Sequence, residues 1–522
     1  MTVRQSREAA IECIDDGDTI GIGGFVAVGI PEYVLEALGE RYAETGTPRD
    51  LTLYHPAAEG DQQGRGLSHL VQDGMLERTI ASHWGFTPDL MEKIVSNEIE
   101  AYNLPFGVMD HMLRDTAAGK PGTITHVGLG TFVDPRQDGA KANDVTEDDI
   151  VELVTFDGEE YLYYRSVPID VAIIRGTTAD EDGNITTERE ALDSNTLAMA
   201  QAAHNSGGTV IAQVERITES GTLTARDVTV PGVLVDTVVE APPSHHQQTY
   251  AEDYNPAYSG EIKRPTDDGS DGIPLDVRTI IARRAAMELE PNSVINLGVG
   301  VPELVPVVAA EGGIDDEITQ TVESGPVGGA ASGGISFGTA SNHHALVSSP
   351  QQFDFYDGGG LDMGFLGMAQ ADAAGNINVS RFGSQLPGCG GFINITQNAE
   401  KVVFCGTLTT NGLEIETGSG ALSIEREGTS PKFIDSVEQI TFSGEYAADI
   451  EQPIVYVTER AVFELTEAGL ELTEVAPGID VETDVIDEMG FEPLVADDLD
   501  EMDSRLFVDE RFDLTDVLYS NN

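Results

Sequence analysis

Apolar residues in this chain gather in short, β-branched runs separated by polar and glycine-rich connections. Residues 170–176 (DVAIIRG) and 209–214 (TVIAQV) have the length and composition of strands buried in a parallel sheet. Between them, apolar positions at helical spacing predict a helix over roughly 190–203. Strands alternating with helices predict an α/β fold, an open and mostly parallel sheet with helices on both faces.

The pattern occurs twice. Asp170 leads to Asp180 and then to Gly183-Asn184-Ile185, and Asp362 leads to Asp372 and then to Gly375-Asn376-Ile377. In each half an apolar run begins 40 residues after the first of these Asp residues, at Val210 and at Val402. Upstream, Gly29-Ile30-Pro31-Glu32 is echoed by Gly300-Val301-Pro302-Glu303. Two similar domains are therefore expected, 1–242 and 276–522. They are joined by a linker at 243–275 that is rich in Pro, Gly, Asp, Ser and His. The extra length of the first half lies roughly between 55 and 145. Asn184 and Asn376 are expected to shape turns.

Charge changes the picture of the surface. The chain of 522 residues, 40% hydrophobic, carries 28 Lys and Arg against 91 Asp and Glu, a formal charge of −63. Self-repulsion on that scale strains a compact protein in dilute salt, and a Debye length of roughly 3 Å in molar salt relieves it. The acids run along the whole chain, as expected for a cytoplasmic protein of an extreme halophile. Nucleic acid and anionic membranes are excluded as partners, because they require a basic surface. The first residues lack a signal-type apolar core, and no run of about 18 apolar residues predicts a membrane helix. Cys13, Cys389 and Cys405 are too far apart for a paired-cysteine metal site or a disulfide framework. His343 and His344, adjacent on an extended segment, face opposite ways, so no metal is expected.

In so acidic a chain the uncharged stretches stand out. Residues 324–353 and 382–399 contain no Asp, Glu, Lys or Arg and are rich in Gly and Ser. Such loops suit a buried site where main chain approaches a ligand closely. Glu323 immediately precedes the first of them, at the end of an apolar-polar strand (ITQTV) and before a glycine turn. Ligands of open α/β sheets bind at the carboxyl ends of strands, which makes Glu323 the candidate reactive group.

These residues resemble family I coenzyme A transferases. Gly23-Gly24-Phe25-Val-Ala-Val-Gly29-Ile-Pro31 is similar to that family's Gly-Gly-Phe-x-x-x-Gly-x-Pro signature. Glu323-Ser324-Gly325 resembles the Glu-x-Gly turn that carries the catalytic glutamate. Gly388-Cys389-Gly390-Gly391-Phe392-Ile393-Asn394 resembles the later glycine turn near the CoA thioester. Residues 352–360 and 476–480 resemble the branch that fuses both subunit types into one chain, which includes acetate and propionate CoA transferases. The resemblance implies a tandem CoA-transferase fold, alpha-subunit-like then beta-subunit-like, in a homodimer or homotetramer. It implies no tightly bound cofactor, with coenzyme A acting as substrate and transient covalent adduct. Two departures carry information. Ser324 stands where ketoacid transferases have Asn, and points to the short-chain acyl branch. Phe106, in Pro105-Phe106-Gly107, stands where relatives usually have a Gln that holds carboxyl groups, and implies a more apolar acyl pocket.

The resemblance assigns Glu323 as nucleophile. Amides of Gly23, Gly24, Gly390 and Gly391 are candidates for stabilising an oxyanion. Phe25, Phe106, Gly107, Ser324, Gly325 and Gly388 are candidates for holding substrate. Arg381, the only charged residue between Asp372 and Glu400, is a candidate for CoA or a carboxylate. An acyl-CoA hydrolase, or an acyl-CoA-binding protein without catalysis, would share this fold. A dinucleotide-binding loop is excluded, because Val26 and Glu303 stand where its third glycine is required, and no Walker phosphate loop is present.

Overall fold

A computed structural model describes residues 3–265 and 273–515. They form two compact units. One comprises 1–264, 322–355 and 383–394; the other comprises 265–321, 356–382 and 395–522. The two segments of the second half that fold into the first unit nearly coincide with the two uncharged stretches. Segments without charge and with little side-chain bulk can be buried among strands and turns, so they leave the acidic half of the chain that surrounds them.

The first unit is built on an open sheet. Its strand order is Val3–Arg4, Thr237–Glu240, Thr209–Thr218, Val171–Asp180, Thr19–Ile22, Leu51–His55, Leu76–Ala81 and Glu100–Asn103, and all these neighbours are parallel. Side chains alternate across it. Ile20, Ile22, Val171, Ile173 and Ile211 share a core with Val34, Leu35 and Leu38 of the helix Glu32–Thr45. Gly21, on the opposite face, lies against Met199 of the helix Thr196–Asn205. Helices thus cover both faces, as the alternating pattern predicts. The extra length of this half reaches beyond the expected 55–145, because an antiparallel sheet of Gly122–Thr125, Glu159–Arg165 and Val151–Phe156 carries it to residue 165.

In the second unit, Thr319–Thr321, Val294–Leu297, Met363–Gly367, Lys401–Cys405 and Ile454–Val457 run parallel in that order. Ala461–Thr466 and Gly469–Val475 then continue antiparallel. Ile280, Ile281 and Ala285 of the helix Val277–Ala286 pack on Ile295, Phe365, Val403 and Val455.

The repeat seen in the sequence is a repeat of register. Ala172 pairs with Val210, and Gly364 pairs with Val402. Asp170 Oδ2 accepts the amide of Thr19 at 2.8 Å, and Asp362 Oδ2 accepts that of Val294 at 2.6 Å. Asp180 and Asp372 each accept the backbone amide of the Asn four residues on, at 2.9 and 3.1 Å. Asn184 Oδ1 and Asn376 Oδ1 each accept a distant glycine amide, from Gly232 and from Gly444. Both Asn residues therefore shape turns.

Three local expectations are corrected. The strands predicted at 170–176 and 209–214 extend to Val171–Asp180 and Thr209–Thr218. The helix predicted from residue 190 begins at Thr196. Glu190 is drawn to Arg175 and His246, and Ser194 adopts φ 47°, so the backbone before Asn195 is not helical. Residues 243–264, read as linker, fold into the first unit. Gln248 O accepts the amide of Gly29 at 3.3 Å, and Tyr250 N donates to Ala27 O at 2.9 Å. Linker residues 266–272 lie outside the described residues. Among the described residues no helix is long and apolar enough to cross a membrane.

Candidate active site

Glu323 lies two residues beyond the strand Thr319–Thr321 and is 8% exposed. Its turn is closed by Gly325 N donating to Val322 O and by Val322 N donating to Pro326 O, both at 3.0 Å. Gly325 has φ 130°, and a Cβ there would stand 2.0 Å from Val347 O. No other residue fits, which explains the glycine of the Glu-Ser-Gly motif. Ser324 Oγ donates to Gly338 O at 2.6 Å and anchors the turn to the uncharged loop that follows.

The first glycine turn meets this one through Phe25. Gly23-Gly24-Phe25 follows the strand Thr19–Ile22, and Phe25 and Val28 exchange backbone hydrogen bonds at 3.0 and 2.8 Å. Val26 between them has φ 54°, a strained conformation for a β-branched residue. Its amide and carbonyl are tied to Ala57 O and Gly60 N, both at 2.9 Å. The Phe25 ring reaches Gly338, where a Cβ would come within 2.4 Å of the ring and 3.5 Å of Ser324 Oγ. Phe25 and Ser324 thus bear on the same glycine.

Phe25 also starts an aromatic wall. Its centroid is 5.5 Å from that of Phe106 and 5.9 Å from that of Phe337. Phe106, 1% exposed, packs edge-on against Phe353 at 4.9 Å. Four phenyl rings thus pack together here without a charged residue among them. Phe106 begins the helix Phe106–Ala117. The later glycine turn is docked against that helix start: Phe106 N donates to Gly390 O at 2.9 Å, and Gly107 N to Asn394 Oδ1 at 3.1 Å. Gly388 and Cys389 sit on the strand ends at 82–83 and 103, where Cys389 N donates to Asn103 Oδ1 at 3.0 Å. Burial pushes the Cys389 thiol far up, so it is no nucleophile here.

The backbone narrows the oxyanion candidates. Gly23 N donates to Ile173 O at 3.0 Å and Gly390 N to Ser82 O at 2.9 Å, so those two amides serve the fold. Gly24 and Gly391 remain as candidates. Arg381 belongs to the second unit. Its amide donates to Asn378 Oδ1 at 3.2 Å, and its carbonyl accepts from Asn378 Nδ2 at 2.6 Å. His343 lies against Gly260 and His344 against Gly328, so their rings diverge. Among the described residues no three His, Cys, Asp or Glu side chains gather as metal ligands.

Sequence reasoning missed several residues that hold this site. Asn103 carries the later glycine turn, and its Nδ2 also donates to Ala81 O and Ser82 O, at 3.0 and 2.7 Å. Ser194 Oγ donates to Gly24 O at 3.2 Å. Gly338 receives both Phe25 and Ser324. Only the last had a signal, its place inside an uncharged run.

The family model described as coenzyme A transferase matches residues 4–241. Caffeate CoA-transferase from Acetobacterium woodii is 46% identical, over 98% of each chain. The chain belongs to the coenzyme A transferase family. Acetate CoA-transferase YdiF from Escherichia coli (strain K12) is 43% identical, over 97% of this chain and 95% of its own. The acyl-CoA transferase YdiF apoenzyme from Escherichia coli O157:H7 superposes with a TM-score of 0.93, over 98% of this chain and 97% of that one, at 41% identity. A second structure of that transferase, described as a thioester complex with CoA, gives a TM-score of 0.92 at 40% identity, with the same coverage. The chain is thus a CoA-transferase with a full-length relative whose fold it shares.

Proposed function

We propose that this transferase moves CoA from a short-chain acyl-CoA to a free carboxylate by ping-pong chemistry on Glu323. The observation that carries the reading is the placement of the Glu323-Ser324-Gly325 turn against Phe25 and Gly338, beside the Gly23-Gly24 turn. The thioester described for the YdiF complex supports it.

The Glu323 carboxylate attacks the thioester carbonyl, the C–S bond breaks, and an acyl-glutamyl anhydride and CoA thiolate result. The thiolate attacks the glutamyl carbonyl and expels the first carboxylate, leaving glutamyl-CoA. The incoming carboxylate attacks that thioester to form a new anhydride and thiolate. The thiolate then attacks the acyl carbonyl, giving the new acyl-CoA and free Glu323. Thioester energy is kept throughout, so neither ATP nor a metal enters the balance. Each step passes through a tetrahedral oxyanion, to which one well-aimed amide contributes about 3 kcal/mol. The amides of Gly24 and Gly391 are our assignment for that role. The wall of Phe25, Phe106 and Phe337 favours a short acyl group of the acetate, propionate, butyrate and acetoacetate class.

The test is intact mass after incubation with acetyl-CoA or propionyl-CoA and then borohydride, which reduces a glutamyl thioester to the alcohol. The expected result is a mass loss mapped to the peptide with Glu323 and absent in Glu323→Gln. An unchanged mass with full transfer activity would overturn the covalent route. Steady release of free CoA without transfer would point to hydrolysis.

A further inference from the structure

Behind the Gly24 turn lies a buried carboxyl group that the transfer chemistry does not use. Asp110, in the helix Phe106–Ala117, is 0% exposed. Asn195 Nδ2 donates to its Oδ1 at 3.0 Å. The neighbouring Ser194, with φ 47°, donates its hydroxyl to Gly24 O, and its carbonyl accepts the amide of Ser349 at 3.1 Å. The Ser349 side chain lies beside the Asp110 carboxyl. Ser349 opens the helix Ser349–Phe355, which carries Phe353 of the acyl wall. Asp110 therefore sits where three pieces of the site converge: the helix that begins with Phe106, the turn that holds Gly24, and the end of the loop that follows Glu323.

The group is held there at a cost. Asn195 Oδ1 is buried without a hydrogen-bond partner, and Asp110 Oδ2 and Ser349 Oγ are buried without a hydrogen bond of normal geometry. Burial pushes the Asp110 carboxyl up to about 6, against the pull of Ser349, Asn195, His111 and Arg114. The other charged groups around it are otherwise engaged. Arg114 and His111 meet Asp354 at the surface, and the buried Tyr54 phenol donates to Met109 O. Asp193 receives a hydrogen bond from Thr187. No charge within that set neutralises Asp110 directly. An apolar or amide side chain would fill the space with less desolvation, and a costly buried polar group at such a junction marks a functional constraint.

We infer that Asp110 is a positioning residue for the transfer reaction: its carboxylate holds Asn195, and with it Ser194 and the Gly24 turn, in register with the loop after Glu323. The inference rests on the site reading above. Its readout is transfer activity itself, so it stands or falls separately from the trapping of a Glu323 adduct. Asp110 touches no substrate in this role. Its protonation leaves a neutral carbonyl oxygen in place of a charged acceptor, which weakens its hold on Asn195 and slows the reaction without weakening CoA binding.

The experiment compares Asp110→Asn and Asp110→Ala with the parent enzyme. Transfer kcat, and KM for acyl-CoA, are measured from pH 5 to pH 9, with circular dichroism confirming the folded state. The parent is expected to lose kcat by up to about fourfold from pH 7.5 to pH 5.5, the fall in the ionised fraction of a carboxyl that titrates at about 6. Asp110→Asn, the neutral isostere of the protonated acid, is expected to stay folded and to show at every pH the lowered kcat that the parent shows at pH 5.5. Asp110→Ala is expected to lower kcat about tenfold or more, with KM changed less than about threefold. A parent profile flat over this range, or an acid limb that persists in Asp110→Asn, would overturn the inference. So would an Asp110→Ala enzyme with unchanged kcat. If Asp110→Ala fails to fold, the Asp110→Asn profile decides alone.

Discussion

The Phe25 ring occupies the space that a Cβ on Gly338 would need, so the signature turn of the first half and the loop after Glu323 meet at one missing methyl group. Gly338→Ala forces the ring aside at a residue with φ 100°. Overpacking of this kind costs about 1–3 kcal/mol. The expected outcome is a lowered melting temperature and a loss of transfer activity larger than the loss of folded protein. Equal activity per folded molecule would separate Phe25 from the chemistry.

Phe106 should set acyl preference. Phe106→Gln places an amide between Phe25 and Phe353, where an apolar chain would otherwise be packed. A methylene in an apolar pocket is worth roughly 10–200-fold in discrimination. The ratio of kcat/KM for propionyl-CoA over acetyl-CoA is therefore expected to fall by about tenfold. An unchanged ratio would move the acyl group elsewhere.

The pair behind the first turn gives a pH prediction. Arg175 Nε lies 3.0 Å from Glu190 Oε2, both nearly buried, while Arg175 Nη1 donates to Ile30 O at 3.1 Å. Burial alone would raise the Glu190 carboxyl, but the charge of Arg175 and the contact with His246 outweigh it and bring it down to about 2. A depressed carboxyl adds stability that is present above its unfolded pKa of about 4.3 and is lost as pH falls toward 2. Glu190→Gln should flatten melting temperature against pH over that acid interval. At neutral pH it should cost about 3–5 kcal/mol, the range for breaking a buried pair. A slope identical to the parent's would assign the acid transition to other groups.

Salt should matter throughout. With a formal charge of −63, lowering salt to about 50 mM is expected to unfold the chain, and activity is expected to need molar salt. Far-UV circular dichroism across a salt titration measures this. Full helicity at the low end would show that the acidic surface is tolerated without screening.

Much of this architecture was legible because it repeats. Asp170 and Asp362 stand at equal distances from Asp180 and Asp372, and from the runs at 210 and 402. The structure turns those distances into equal strand registers. Glu323 was legible as the last charge before an uncharged run. The assignment of 322–355 and 383–394 to the first unit was not legible, because chain order carries no record of which sheet a glycine-rich segment covers. The helix start at Thr196 was hidden by Glu190, whose helical spacing with later apolar positions yields to its attraction for Arg175. Asp110 was invisible among 91 acidic residues, since only burial distinguishes it.

The division of the chain into units has a bearing on how it can be cut. A fragment ending at residue 264 would carry the Gly23-Gly24-Phe25 turn and Phe106, yet lack the loop that receives Phe25, the Phe353 ring that packs on Phe106 and the glycine turn seated on Asn103. Its rings would face water, and its strand ends at 82–84 and 103 would lose their cover. The first half of this polypeptide is thus incomplete as a folding unit, and two short stretches of the second half finish it, so synthesis must run to about residue 394 before the first unit is whole.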